Sequence, residues 1–181
     1  MRTTTRHRTL AVLAATTLTV SGLGAPAASA QQLMFPGSSF GLTFGDIGAA
    51  PALDPASDEY REQLIDATNA ARAQHGRTPL QADPALNQIA TSWSQTQARE
   101  NRMYHNSALR DQIPAGASRW SENVLQNWHN ATPQDLVDQW MASPGHRINL
   151  LRADHTSMGI GVAVAADNRL YATQVFARYP D

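Results

Sequence analysis

The sequence predicts an α+β fold in which helices pack around a small antiparallel sheet. Three segments carry apolar residues at helical spacing, and each begins on a capping residue. Beyond them the pattern changes to two strand-like runs, "MGIGVAVA" and "LYATQVFARY", on either side of Asp167-Asn168, a pair suited to a hairpin turn.

The first helix is expected from Ser57. That residue caps it, Asp58 and Glu59 suit the positive end of its dipole, and Gly76 closes it. Tyr60, Leu64, Ala67, Thr68 and Ala71 form its buried stripe. A second helix opens on the Asp83 cap with Pro84 at its first position, and it carries Leu86, Ile89, Ala90 and Trp93 along one face to about Met103. "MYHNS" is its exit. A loop containing Pro114 and Gly116 leads to "WSENVLQNW", short and free of breakers, hence a strand. Thr132-Pro133 starts a third helix with Leu136, Val137, Trp140 and Met141, which stops at Ser143. A short helix then follows "SPGHR" through Leu151.

The ends of the 181 residues read differently. Arg2, Arg6 and Arg8 precede an apolar run from Leu10 to Val20, and Ala28-Ser29-Ala30 supplies small residues for cleavage. Residues 1–30 are therefore expected to be a secretory signal peptide cut after Ala30. The apolar run is well short of the about 20 residues that span a bilayer, so no transmembrane segment is expected. Residues 31–56, rich in Gly, Ala and Pro with Phe35, Phe40 and Phe44, read as a linker or arm, and 57–181 as the folded domain. Setting aside the three signal arginines from 14 basic residues leaves 11 against 15 acidic ones, a balance that argues against nucleic acid as partner. With no cysteine, this extracellular domain must be held by its core, and a monomer is expected.

Three residues at element ends can bind metal or move protons: His105 in "YHNS", Glu122 in "SENV" and His146 in "SPGHR". Their separations fit no local metal motif. If Ser143 caps the next helix, His146 lies in its first turn, where the dipole opposes protonation by roughly 0.3 to 1 kcal/mol and favours the neutral, ligating ring. The plainer alternatives are a His105 that meets carbonyls at a helix end and an exposed Glu122 on an edge strand. His75, His129 and His155 are expected at the surface. Trp93, Trp120, Trp128 and Trp140 are expected in core and cleft lining. Ser107, Ser121 and Ser143 lie near the candidates, but no G-x-S-x-G elbow is present.

"NAAR" (Asn69 to Arg72), the Leu80 to Ala90 segment, "HNS", "SEN", "SPGHR" with the following "NLL", "MGIGV" and "YATQVF" together resemble the CAP superfamily. Its members include cysteine-rich secretory proteins, antigen 5 and the plant pathogenesis-related-1 proteins, and this chain is most similar to the bacterial secreted branch. The resemblance implies a three-layer α-β-α sandwich with an open cleft where His105, Glu122 and His146 converge. Ser121 replaces the family's glycine before Glu122. The second acidic residue of the eukaryotic members has no counterpart after Trp140, and Asp138 is displaced from that position.

Three functions follow from the resemblance as expectations. The first is a secreted, non-enzymatic binding module for an apolar, lipid or extended envelope ligand, with Zn²⁺ or another divalent cation at His105 and His146. The second is a metal-assisted hydrolase in which Glu122 is the general base and His105 and His146 hold the ion. The third is a structural or adhesive domain.

Overall fold

The computed structural model describes residues 53–180. The signal peptide and the phenylalanines of the arm lie outside the described residues. Helix α1 spans Asp58–Gln74, followed by strand β1 (Gln81–Ala82), α2 (Pro84–Glu100), α3 (Leu109–Gln112), β2 (Arg119–Trp128), α4 (Pro133–Ala142), α5 (Pro144–Leu150), β3 (Ser157–Val164) and β4 (Arg169–Arg178).

The helix starts follow their caps. Ser57 accepts the Tyr60 amide, Asp83 accepts those of Ala85 and Leu86, and Thr132 with Asp135 forms a reciprocal capping box. Helix α2 ends earlier than its apolar pattern suggests. Asn101 adopts a left-handed φ of 48°, and its amide turns back to Ala98 and Gln97. Two elements have no signal in the pattern: the one-turn α3 and the two-residue β1.

The sheet order is β1-β3-β4-β2. Its three long strands are antiparallel as expected, but β1 runs parallel to β3, so the sheet is mixed. Strand β4 is central and buried on both faces, which accounts for its near-continuous apolar run. Leu170, Ala172 and Phe176 join the larger core with Tyr60 and Leu64 of α1, Trp140 of α4 and Leu150 of α5. Val175 and Ala177 point the other way, onto Leu86 and Ala90 of α2. Helices thus cover both faces of the sheet, an α-β-α sandwich. Each fully buried large side chain, Trp140 among them, stabilises it by about 1.5 to 3 kcal/mol.

The glycines of "MGIGV" serve packing. A Cβ on Gly159 would strike the backbone at Leu86 and Asn87, and one on Gly161 the backbone at Ala90 and Thr91. Helix α2 therefore lies directly on the main chain of β3. Two hydrogen bonds fix it there: Asn87 Oδ1 accepts from the Ile160 amide at 2.8 Å, and Ser94 Oγ donates to Gly161 O at 2.9 Å.

Arg72 is wholly buried and lacks a carboxylate partner among the described residues. Its guanidinium donates instead to carbonyls, Thr78 O at 2.9 Å, Leu150 O at 2.6 Å and Arg152 O at 3.1 Å. It ties α1 to the end of α5. Leu53, assigned to the arm by its composition, packs against the larger core. Trp140 is fully buried, as expected of a core residue, whereas Trp120 and Trp128 are 37% and 58% exposed and do not join the core. They sit near the two ends of the edge strand β2, which pairs on one side only among the described residues.

Candidate functional site

The site is built across the edge strand β2. Neighbouring residues of a strand point to opposite faces, so Glu122 and Asn123 serve different layers. Glu122 shares its face with Val175 and meets the loop that follows α2. Its Oε1 lies 2.7 Å from His105 Nδ1 and accepts the Asn106 amide at 3.0 Å. Asn123, on the other face, donates to the His146 carbonyl at 3.0 Å and to Gln174 Oε1 at 3.0 Å. Asn149 of α5 closes the arrangement by donating to Glu122 O at 3.2 Å and Asn123 Oδ1 at 3.0 Å. One histidine therefore arrives at the strand edge from each side.

The Glu122 side chain is only 5% exposed, whereas that of His105 is 65% exposed. A buried carboxylate oxygen shared with the Asn106 amide fixes the ring above it: Nδ1 faces Glu122, and Nε2 lies on the exposed side of the ring. The expectation of an exposed glutamate on an edge strand is half met, since the strand is at the edge and the carboxylate is buried. His146 occupies the third position of α5, after Pro144 and Gly145. Its pKa is lowered, first by burial and second by the neighbouring His105. The direction is that of the first-turn argument, but burial and the other histidine are the causes.

A polar ladder supports the pair. Gln174 Nε2 donates to Thr68 Oγ1 at 2.9 Å, and Thr68 donates to Leu64 O at 2.7 Å, linking α1 through β4 and β2 to α5. On the α2 face Gln97 donates to Thr173 at 3.2 Å, and its Oε1 accepts the Tyr104 amide at 3.2 Å, so the residue before His105 is anchored too. These supports were missed by pattern reasoning. The available signal was a polar residue at a strand position that packing would fill with an aliphatic one: Asn123 in "SENV" and Gln174 in "YATQVF".

His155 corrects a reading of the sequence. It is 4% exposed, not at the surface, and its ring stacks on Phe176 with centroids 5.2 Å apart. Its Nε2 lies 3.3 Å from Ser121 Oγ. Burial, with Arg152 beside it, pushes its pKa down to about 4. Asp138 is exposed and accepts from Gln134 at 2.8 Å on α4, so it joins neither histidine by a hydrogen bond.

As a metal site the arrangement offers two imidazoles. Glu122 Oε1 is committed to His105 and Asn106, and among the described residues no group of three or more His, Cys, Asp or Glu is placed to hold a metal ion. Glu122 stands as the anchor behind His105.

The molecule is thus an α-β-α sandwich whose edge strand carries a glutamate that anchors one of two histidines. The sequence model of the cysteine-rich secretory protein family, CAP, matches residues 65–176, and the chain belongs to that family. Among its relatives, the Bacillus subtilis (strain 168) protein YkwD, itself uncharacterized, is 30% identical over 109 residues, 56% of this chain and 42% of YkwD. An extracellular SCP-domain protein of Bacillus anthracis str. Ames is 26% identical, with a TM-score of 0.55 over 66% of this chain and 40% of that one. An outer surface protein of Borrelia burgdorferi shares the fold, with a TM-score of 0.62 at 15% identity over 71% of this chain and 99% of that one. The chain spans less than half the length of the curated relatives it matches.

Proposed function

We propose that this protein is a secreted binding domain rather than a hydrolase, and that its ligand is held at the edge of β2 by His105 and His146. The observation that carries this reading is the Glu122 carboxylate. It is buried, its Oε1 accepts from both His105 and the Asn106 amide, and its Oε2 is closed off from solvent without a partner, a placement that favours positioning the ring over activating a water. His105 with its Nε2 outward, beside a His146 that resists protonation, offers a pair of ring nitrogens suited to a divalent cation such as Zn²⁺. Such an ion would take its other ligands from water or from an extended envelope ligand lying along the edge of β2. The signal-like residues 1–30 support export; among the described residues no helix is long and apolar enough to cross a membrane.

Native mass spectrometry of protein secreted by its own host tests this reading. A bound cation or ligand is expected on the wild type and is expected to disappear with His105→Ala and with His146→Ala while the fold is kept. A peptide or ester hydrolysis that falls by orders of magnitude in those variants would instead make the domain an enzyme.

A further inference from the structure

A second site lies away from the histidine pair, on a different face of α5. A groove of about 360 Å³ is lined by Arg77, Arg147, Ile148, Leu151, Arg152 and Ala153. It holds three arginines and no acid. None of the three lies within 4.0 Å of a carboxylate among the described residues. The nearby Asp154 is taken by Arg119 at 3.0 Å. In a mature chain with more acidic than basic residues, three unpaired guanidiniums on one groove need a reason.

Two further observations point to a ligand. The Arg152 Nε is buried without a hydrogen-bond partner. An unpaired Nε means that the guanidinium is not spent on a protein acceptor at that nitrogen. The second concerns the end of α5, whose carbonyls would ordinarily repel an anion. Here Leu150 O and Arg152 O are covered by the buried guanidinium of Arg72. That fourth positive charge is bonded to the carbonyl of Arg152, a residue of the groove, and its Nη2 is also without a partner.

The rim adds an apolar element. Ile148 is 61% exposed and Leu151 partly so, on the same turn as Arg147. Arginine forks match phosphate oxygens two at a time, and an adjacent aliphatic surface suits an alkyl group on the ester.

We infer that this groove binds a phosphate ester, with the phosphate on Arg77, Arg147 and Arg152 and its apolar substituent on Ile148 and Leu151. The site is independent of His105 and His146, so failure of either reading leaves the other standing. Arg77 and Arg147 are exposed and make no side-chain hydrogen bond, so changing them leaves the core intact.

The test is a backbone NMR titration of the mature protein with three probes: inorganic phosphate, micelle-free dihexanoyl phosphatidylglycerol, and vesicles containing long-chain phosphatidylglycerol. Phosphate is expected to shift resonances at Arg77, Arg147 and Arg152, and the soluble ester is expected to bind at least 10-fold more tightly. R77E and R147E should each weaken both at least 10-fold. I148S should remove only the ester's advantage, and H105A and H146A should change nothing. Shifts scattered over other arginines, or equal binding by R147E, would overturn the proposal. So would a response to vesicles without one to either soluble probe, which would mark charge adsorption to a membrane surface.

Discussion

Acid should loosen this fold through His155, and the size of the effect can be worked from its surroundings. The ring is 4% exposed, stacked on Phe176, and faced by Arg152, Arg72 and Asp154, with its pKa lowered from 6.5 to about 4 chiefly by burial. In the unfolded chain it takes up its proton near pH 6.5; in the fold it does so only near pH 4. The unfolded state therefore binds more protons between those values, and stability falls as pH falls through that window. Each pKa unit corresponds to about 1.4 kcal/mol, so moving from pH 7.5 to 4.5 should remove about 2 to 3 kcal/mol through this residue.

Urea unfolding at a series of pH values measures it, and His155→Gln is the control. Loss of the ring stack should cost the variant about 1 kcal/mol at neutral pH. Its further loss on acidification should then be about 2 to 3 kcal/mol smaller than that of the wild type. His146 and the carboxylates titrate in both proteins and cancel in the comparison. Parallel pH profiles for the two proteins would refute the reasoning.

Other changes have equally definite outcomes. Gly161→Ala forces a methyl group into the α2 backbone at Ala90 and Thr91, so the variant should lose at least about 3 kcal/mol or fail to fold, read by circular dichroism on heating. Tyr60→Phe deletes the hydroxyl that donates to Ala131 O at 2.6 Å; a loss of about 1 kcal/mol in urea unfolding is expected, and no change would mean that water replaces the bond. Asn101→Gly relieves a left-handed residue at the end of α2 and should raise stability by up to about 1 kcal/mol.

The elements most legible in the sequence were those whose local chemistry and tertiary packing agree. Ser57, Asp83 and Thr132 announce their helices because the cap is a local hydrogen bond, and Asp167-Asn168 announces the hairpin because Asn168 tolerates its φ of 65°. What stayed hidden depends on partners far along the chain. Strand β1 exists only because Gln81 and Ala82 lie beside Ser157 and Met158. His155 looks like a surface residue in "RADHTS", and only Phe176 and Ser121 make it a core one. The site shows the same division. His105, Glu122 and His146 could be singled out by type and by family resemblance. The orientation of each depends on Asn106, Asn123, Asn149 and Gln174, whose bonds span 16 to 51 residues or join neighbouring layers, and no local pattern reports them.

The proposed site needs His105, anchored by Glu122 at Nδ1, to act together with His146. Imidazole nitrogen NMR at neutral pH, followed through a zinc titration, addresses this directly. His105 should show a protonated Nδ1 and a bare Nε2 before zinc is added. His105 and His146 should then shift together on addition, with His75, His129 and His155 unmoved. A His105 carrying its proton on Nε2, or zinc shifts at the other histidines alone, would contradict it.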